Sequence, residues 1–200
     1  MKRSVVAAAV LGFLVMVLVP SHGFSAEKGS YFLVKPGAYF PGGDLHDSGF
    51  GTAFIGELVV GRYYNPNLAF EGGVGYFQSS ASTSGAASTS LDNKIWVIPV
   101  TASLKGVIPF RGGEVTAGGG IGVYFATMET KMSSPSLNST ADSSSAAFGG
   151  HALVGISLDI SPSMFIGAEG KYIITTKADF FDTKMNLNGF MLTGVLGYRF

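Results

Sequence analysis

Residues that could carry out acyl transfer occur together at one point in the chain, where His46, Asp47 and Ser48 are consecutive. A histidine that accepts the proton of a nearby serine hydroxyl turns that hydroxyl into a nucleophile. This trio lies in a stretch that reads as a loop, so no regular element holds the three side chains in place. His151 is followed by two apolar residues and offers no such pair. We therefore expect no catalytic residues and interpret His46 as part of a solvated loop.

Other kinds of chemistry find little support in the sequence. The glycine-rich run Gly118–Gly122 superficially resembles a phosphate-binding loop, but it lacks the following Lys-Ser/Thr and any sign of a helix. The chain has no cysteine, which excludes disulfides and thiol chemistry, and no cluster of histidines and acids suggests a metal site. We expect neither a metal nor a cofactor.

The N-terminus has the layout of a secretory signal peptide. Lys2 and Arg3 precede an apolar run, Val5–Val19, which is followed by Pro20 and several small residues. The run is shorter than the roughly 20 residues that a membrane-spanning helix needs. We expect cleavage between Gly23 and Ala26, so that residues 1–26 are the signal peptide and residues 27–200 form one domain. Without Lys2 and Arg3, the 13 basic residues fall to 11 against 13 acidic ones, which gives no electrostatic case for nucleic-acid binding.

The last twelve residues alternate in a way that is typical of a β-strand. Large apolar residues occupy one parity of Gly189–Phe200, and small or polar residues, including Arg199, occupy most of the other. Alternate side chains of a strand point to opposite faces. The apolar parity consists of Phe190, Leu192, Leu196, Tyr198 and Phe200.

Seven further segments alternate in the same manner, and together they predict eight strands. Each is near or a little above the roughly 9–11 residues that a tilted strand needs to cross a bilayer. The predicted strands are Ser30–Phe40, Ala53–Tyr64, Leu68–Gln78, Ile95–Lys105, Glu114–Met128, Phe148–Ile160, Met164–Thr176 and Gly189–Phe200.

The connections between these strands alternate between short and long, which is typical of a membrane barrel with short periplasmic turns and long external loops. The short ones are Asn65–Asn67, Pro109–Gly113 and Ser161–Ser163. The long ones are Pro41–Thr52, Ser79–Lys94, Glu129–Ala147 and Lys177–Asn188. We interpret the Ser- and Thr-rich parts of the second and third long connections as solvated loops without a packed core. The predicted fold is all-β, an eight-stranded antiparallel up-and-down transmembrane β-barrel.

Charged residues support this assignment of the two faces. Only Arg62 falls on the apolar, lipid-facing parity, near the periplasmic end, where it could snorkel. Glu114 falls on the inward parity together with eight residues that we predict to form a lumen charge network: Lys35, Glu57, Glu71, Lys105, Asp159, Glu169, Lys171 and Arg199. An eight-stranded barrel is just wide enough for side chains to fill. The network would form either a salt-bridged plug or the lining of a narrow polar path.

Several runs of residues resemble a known family. They are Tyr31–Gly37, the hairpin Val60–Tyr76, the glycine-rich Gly118–Tyr124 and the terminal Gly197–Phe200. On these runs the chain resembles the small eight-stranded outer-membrane β-barrels of the OmpA, OmpX and OmpW type. In that family the final strand closes the barrel and carries the signal read by the insertion machinery, which the resemblance assigns here to Tyr198 and Phe200.

The resemblance implies a location and a set of partners more firmly than a function. We expect an integral protein of the outer membrane of a Gram-negative-type bacterium, exported by the general secretory route, with a structural or surface-interaction role. The expected partners are outer-membrane lipid and lipopolysaccharide, the barrel-insertion machinery and periplasmic chaperones, and the expected state is a monomer. One alternative is a small channel for apolar or small solutes, similar to the OmpW type. Another, which we favour less, is an enzyme that modifies the acyl chains of lipid A.

Overall fold

The computed structural model describes residues 29–84, 90–134, 137–180 and 183–200. The predicted signal peptide, residues 1–26, lies outside the described residues. Among the residues that are described, no helix has the length and the apolar character needed to cross a membrane.

The described residues form a closed antiparallel barrel of eight strands, which confirms the predicted fold class. Going round the wall, the order is β1-β10-β7-β6-β5-β4-β3-β2. The wall strands are β1 (Ser30–Pro41), β2 (Ala53–Asn65), β3 (Leu68–Ser84), β4 (Ser90–Phe110), β5 (Gly113–Ser134), β6 (Leu137–Asp159), β7 (Met164–Thr175) and β10 (Gly189–Arg199). A short helix, α1 (Gly43–Asp47), follows β1, and a separate hairpin of β8 (Lys177–Phe180) and β9 (Thr183–Asn186) follows β7.

The first and last strands close the barrel. Phe32 pairs with Tyr198 and Phe40 with Phe190 along the antiparallel ladder between β1 and β10. At its periplasmic end the Phe200 amide donates to the Ser30 carbonyl over 2.9 Å, and the Ser30 amide donates to the Phe200 carbonyl over 3.1 Å. Closure leaves the wall without an unpaired edge, which is what hydrocarbon surroundings require.

Burial alternates along the strands as the pleat dictates, so that every second residue lies inside the barrel. The interior contains two apolar clusters. An inner one lies near the short turns and includes Tyr31, Tyr63, Val107 and Phe165. A larger one, the outer apolar cluster, lies towards the long connections.

The prediction that the second and third long connections are loops is wrong, because the strands continue into them. β3 and β4 extend to Ser84 and from Ser90, and β5 and β6 extend to Ser134 and from Leu137. The Ser- and Thr-rich sequence hides this, since it has no apolar alternation to mark a strand. Each polar strand nevertheless satisfies its backbone groups on its neighbour: Thr130, for example, pairs with Asn93 on one side and with Ala141 on the other.

The other two long connections also fold, and both turn towards the barrel mouth. The first contains α1, and the last contains the β8–β9 hairpin. The Asn186 amide joins them by donating to the Asp44 carboxylate over 3.0 Å. These two connections therefore form a joint cover over the external end of the barrel.

Candidate functional site

The barrel interior contains a cluster of four buried charges, which we name the central charge cluster: Lys35, Glu71, Lys105 and Glu169. They come from β1, β3, β4 and β7, and all lie on the inward parity. Each of the four residues is less than 9% exposed. Strands far apart in sequence contribute them, so the closed barrel is what brings them together.

Each lysine of the central charge cluster contacts both carboxylates. The Lys35 Nζ lies 2.9 Å from the Glu169 carboxylate and 3.4 Å from that of Glu71. The Lys105 Nζ lies 2.8 Å from the Glu71 Oε1 and also contacts Glu169. Two positive and two negative charges thus alternate around a square. Such pairing is what makes buried charges tolerable, because an isolated charge in a dry interior is very costly.

Two neutral hydroxyl groups donate hydrogen bonds to the glutamates of the cluster, one to a carboxylate and one to a backbone carbonyl. The Tyr31 hydroxyl donates to the Glu71 Oε1 over 3.0 Å. On β10, the Thr193 hydroxyl donates to the backbone carbonyl of Glu169 over 3.3 Å. The Glu71 carboxylate is therefore held by a neutral donor from β1 as well as by charge, and the β10 threonine bonds to the backbone that carries Glu169.

A second ion pair involves the remaining inward lysine. The Lys171 Nζ lies 2.8 Å from the Glu57 Oε1, and it donates to both oxygens of that carboxylate. Both side chains are almost completely buried. This pair is electrically neutral, like the central charge cluster.

The last two residues of the predicted network meet at the periplasmic end. Arg199 lies 2.6 Å from Asp159 and 3.7 Å from Glu114, and its guanidinium stacks 4.2 Å from the centroid of the Phe165 ring. The Tyr63 hydroxyl donates to Glu114 over 2.7 Å. Because 37% of the Asp159 side chain is exposed, this end of the network is wetter than the central charge cluster.

The structure thus distributes the eight predicted network residues over three groups, not one. Parity assigned the charges to the interior, but the partners depend on the stagger between strands, which the sequence does not reveal. Sequence reasoning also missed Tyr31 and Tyr63 as donors. Their inward parity was the available signal, since an inward tyrosine needs a hydrogen-bond partner for its hydroxyl.

A buried serine–histidine pair was also missed. The Ser103 Oγ lies 2.8 Å from the His151 Nε2, although β5 runs between the strands that carry them. Gly120 lies between the two in register, and a Cβ there would come within 2.8 Å of the imidazole ring. The glycine therefore lets the histidine reach across a strand. Both residues are buried, so the pair has no open route to a substrate.

The three residues considered for acyl transfer do not assemble into a catalytic site. His46, Asp47 and Ser48 are all exposed at the end of α1. The Ser48 hydroxyl donates to the Asp44 backbone carbonyl over 2.7 Å, which is a local helix-end contact. Among the described residues, no group of histidines and acids is arranged to hold a metal ion.

The external half of the interior is filled by the outer apolar cluster. Its wall residues include Tyr39, Ile55 and Phe77. The folded connections add Ala178 and five larger side chains, which we name the loop plug: Leu45, Phe50, Phe180, Met185 and Leu187. All five are less than 6% exposed.

Hydrogen bonds attach the loop plug to the wall. The Tyr39 hydroxyl donates to the carbonyls of Leu187 and Asn188 over 3.1 and 2.9 Å. The Leu187 amide donates to the Thr175 hydroxyl, and the Thr175 amide donates to the Asn188 side chain, each over 2.8 Å. The last connection is thus hydrogen-bonded to β1 and β7 just before β10 begins.

One small cavity lies between the central charge cluster and the periplasmic end. It measures about 20 Å³ and is lined by Tyr31, Glu71, Lys105 and Glu114 among others. That is room for about one water molecule. It is far too small for an organic solute.

The predicted insertion-signal residues lie on the lipid-facing side of the last strand. Tyr198 and Phe200 are 52% and 68% exposed, so their rings remain available on the finished barrel surface. Both lie at the periplasmic end of the seam between β1 and β10.

Comparison with known proteins agrees with this architecture. The family described as outer membrane protein β-barrel domain matches residues 7–200. The solved structure of OprG from Pseudomonas aeruginosa is 14% identical with a TM-score of 0.58, covering 89% of this chain and 99% of OprG. A major outer membrane protein of Thermus thermophilus is 18% identical with a TM-score of 0.50, covering 86% of this chain and 99% of that protein. The attachment invasion locus protein Ail of Yersinia pestis is 19% identical with a TM-score of 0.49, over 86% and 99% of the two chains.

At identities of 14% and 18%, OprG and the Thermus thermophilus protein support the fold alone. No curated protein matches the chain.

Proposed function

This chain belongs to the outer membrane protein β-barrel domain family, and we propose that it is a closed barrel with a structural or surface-interaction role. Its location is the outer membrane of a Gram-negative-type bacterium. The observation that carries the proposal is the filling of the lumen at two depths. The central charge cluster blocks the inner half, and the loop plug blocks the outer half.

Opening a path through the inner half would require parting the buried, paired charges of the central charge cluster. Breaking a buried ion pair by removing one member costs about 3–5 kcal/mol. A solute would have to replace Lys35–Glu169 and Lys105–Glu71 contacts at the same time. The paired interior therefore supports a plug over a conducting path.

The alternative is a small channel for apolar or small solutes, and the outer apolar cluster is the observation that favours it. If the loop plug undocked, the external half would become a hydrophobic chamber lined by Tyr39, Ile55 and Phe77. Such a chamber would still end at the central charge cluster. We propose no enzymatic activity, because the Ser103–His151 pair is enclosed and the His46–Ser48 trio is unsupported.

The route to the membrane is part of the proposal as well. The N-terminal pattern supports export by the general secretory route, and the partners on that route would be periplasmic chaperones and the insertion machinery. In the membrane the partners would be lipid and lipopolysaccharide, with the barrel as a monomer and no contact with nucleic acid. A net charge of zero over the whole chain supports the last point.

Deleting Phe200 tests the proposed insertion signal. We expect a smaller amount of folded protein in the outer membrane of cells, because the insertion machinery would no longer find the terminal aromatic residue that it recognises. Heat-modifiable migration on gels of membrane fractions measures the folded amount. Phe32→Ala is the control that should assemble normally, because it removes a lipid-facing aromatic of β1 that pairs in register with Tyr198. Equal assembly of the Phe200-deleted chain would overturn the assignment.

Solute flux through vesicles containing the refolded barrel tests the closed lumen. We expect no flux above protein-free vesicles for small charged or small apolar probes, with folding verified by circular dichroism. A wide-pore porin reconstituted in parallel shows that the assay detects conduction. Flux of charged probes through the native protein would sink the closed-barrel proposal. Flux of apolar probes alone would select the channel alternative.

A further inference from the structure

The cavity of about 20 Å³ inside the barrel touches two separate groups of charges. Glu71 and Lys105 of the central charge cluster line it, and so does Glu114 from the periplasmic end. A bound water needs at least roughly 10–15 Å³ of such space and two to four polar partners. The volume and the lining therefore suit one water molecule and leave no room for a larger ligand.

Two hydroxyl side chains outside the ion pairs also line the cavity. Thr116 on β5 and Ser157 on β6 are each only 9% exposed. No hydrogen bond joins either hydroxyl to another described residue. Burying a hydroxyl without a partner costs free energy, so a small polar molecule in the cavity would stabilise both.

Glycines on the neighbouring strands make room for these two hydroxyls. Thr116 is opposite Gly155 in register, and a Cβ at Gly155 would lie 3.0 Å from the Thr116 Oγ1. Ser157 is opposite Gly167, and a Cβ at Gly167 would lie 2.8 Å from the Ser157 Oγ. Each hydroxyl thus leans over a glycine, in a position that a larger neighbour would crowd.

Two tyrosines beside the cavity each serve one of the two groups of charges. The Tyr31 hydroxyl donates to Glu71 over 3.0 Å, and the Tyr63 hydroxyl donates to Glu114 over 2.7 Å. Their ring centroids lie 5.0 Å apart, and both residues line the cavity. Because each O–H is already used, each phenolic oxygen can only accept a further hydrogen bond. The cavity therefore favours a molecule that donates hydrogen bonds to tyrosine and carboxylate oxygens and accepts them from the threonine and serine hydroxyls.

We propose that the cavity binds one water molecule, which Thr116 and Ser157 anchor and which couples the central charge cluster to the charges at the periplasmic end. Both signs of charge in the lining favour a neutral ligand, since Lys105 repels a cation while Glu71 and Glu114 repel an anion. One enclosed water does not screen ion pairs as bulk water does, so the inner half of the barrel stays sealed. This inference goes beyond the closed-barrel proposal, because it assigns a bound ligand and two residues that hold it.

The test removes the hydroxyls with little change in volume. The variants are Thr116→Val, Ser157→Ala and the two combined. Thr101→Val is the matched control, because Thr101 is also an inward threonine, is 7% exposed, and has its Oγ1 3.3 Å from where a Cβ of Gly73 would lie. Thr101 is not part of the cavity lining. Heat-modifiable gel migration shows that each variant is folded.

Urea unfolding in lipid vesicles measures whether the two hydroxyls share one ligand. We expect each single substitution to raise the unfolding equilibrium constant about tenfold, which corresponds to about 1.4 kcal/mol. The combined variant should stay well below the product of the two effects, because the first substitution already loosens the shared water. Thr101→Val and Ser157→Ala should multiply when combined. Multiplication for Thr116→Val with Ser157→Ala as well would overturn the proposal.

A crystal structure of the native barrel identifies the ligand directly. We expect one density peak about 2.5–3.0 Å from both hydroxyl oxygens, and no peak there in the combined variant. A native cavity without density, in a map that shows other enclosed waters, would overturn the proposal. So would a native barrel that is more stable in sodium chloride than in choline chloride of equal ionic strength while the combined variant is not, since the ligand would then be a sodium ion.

Discussion

The inner and outer halves of the barrel interior are filled by different chemistry. The inner half contains the central charge cluster and the Lys171–Glu57 pair, and every one of these side chains comes from a wall strand. The outer half is apolar, and part of its filling, the loop plug, comes from connections that fold back over the mouth. Only the second half contains parts that can leave without breaking the wall.

The inner half therefore contains the contacts that stabilise the wall, and the outer half contains the side chains that cover the external mouth. Charges on neighbouring and distant strands of the wall form contacts that exist only when the whole barrel is closed. The loop plug adds contacts that are not part of the wall, because α1 and the β8–β9 hairpin are outside the closed sheet and place their side chains against its interior. The inner half should therefore govern global stability, and the outer half should govern access to the mouth.

Glu169→Ala gives the largest expected effect. Its removal leaves Lys35 and Lys105 to share the single carboxylate of Glu71 in a buried setting. We expect a loss of about 3–5 kcal/mol in the free energy of unfolding. Urea unfolding of the barrel in lipid vesicles, followed by the fluorescence of Trp96, the only tryptophan, measures it.

The matched control is Asp159→Ala at the periplasmic end of the same network. Its partner Arg199 keeps contacts with Glu114 and the Phe165 ring, and the carboxylate is partly exposed, so the loss should be about 0–1 kcal/mol. If Glu169→Ala were no more harmful than Asp159→Ala, water would have to reach the central charge cluster. The distinction between a sealed inner half and a removable outer half would then fail.

The sequence predicted the wall much better than it predicted the filling. Alternation alone gives the eight strands, because lipid on one side and a crowded lumen on the other impose a period of two. The same alternation assigns charges such as Lys35 and Glu169 to the interior. It does not say that Lys35 contacts Glu169 on β7, although Glu57 is its neighbour in register on β2, since that choice depends on strand stagger and side-chain reach.

The loop plug had no usable signal in the sequence. Leu45 and Met185 are single apolar residues among polar ones, and Phe180 belongs to a short Phe-Phe pair, so none of them is part of a longer apolar alternation. Only the closed barrel provides the surface that they cover. The sequence also did not predict the polar extensions of β3–β6. Each extended strand is stabilised by pairing with its neighbour, and the Ser- and Thr-rich composition gave no sign of that pairing. Long-range partnership is the common cause of both errors.

Leu45→Ala should reduce global stability less than Glu169→Ala does, and it tests the outer half of the barrel interior. Truncating a buried leucine costs about 2–5 kcal/mol where the surroundings cannot relax, but here α1 can undock while the wall remains closed, so local opening limits the loss. We expect faster hydrogen exchange in residues 43–50 and 177–188, and a shift in the urea midpoint well below that of Glu169→Ala. Exchange in β1, β7 and β10 should stay as slow as in the native protein. Faster exchange throughout the wall would mean that the loop plug and the barrel fold as one unit, and the mouth would then have no separable cover.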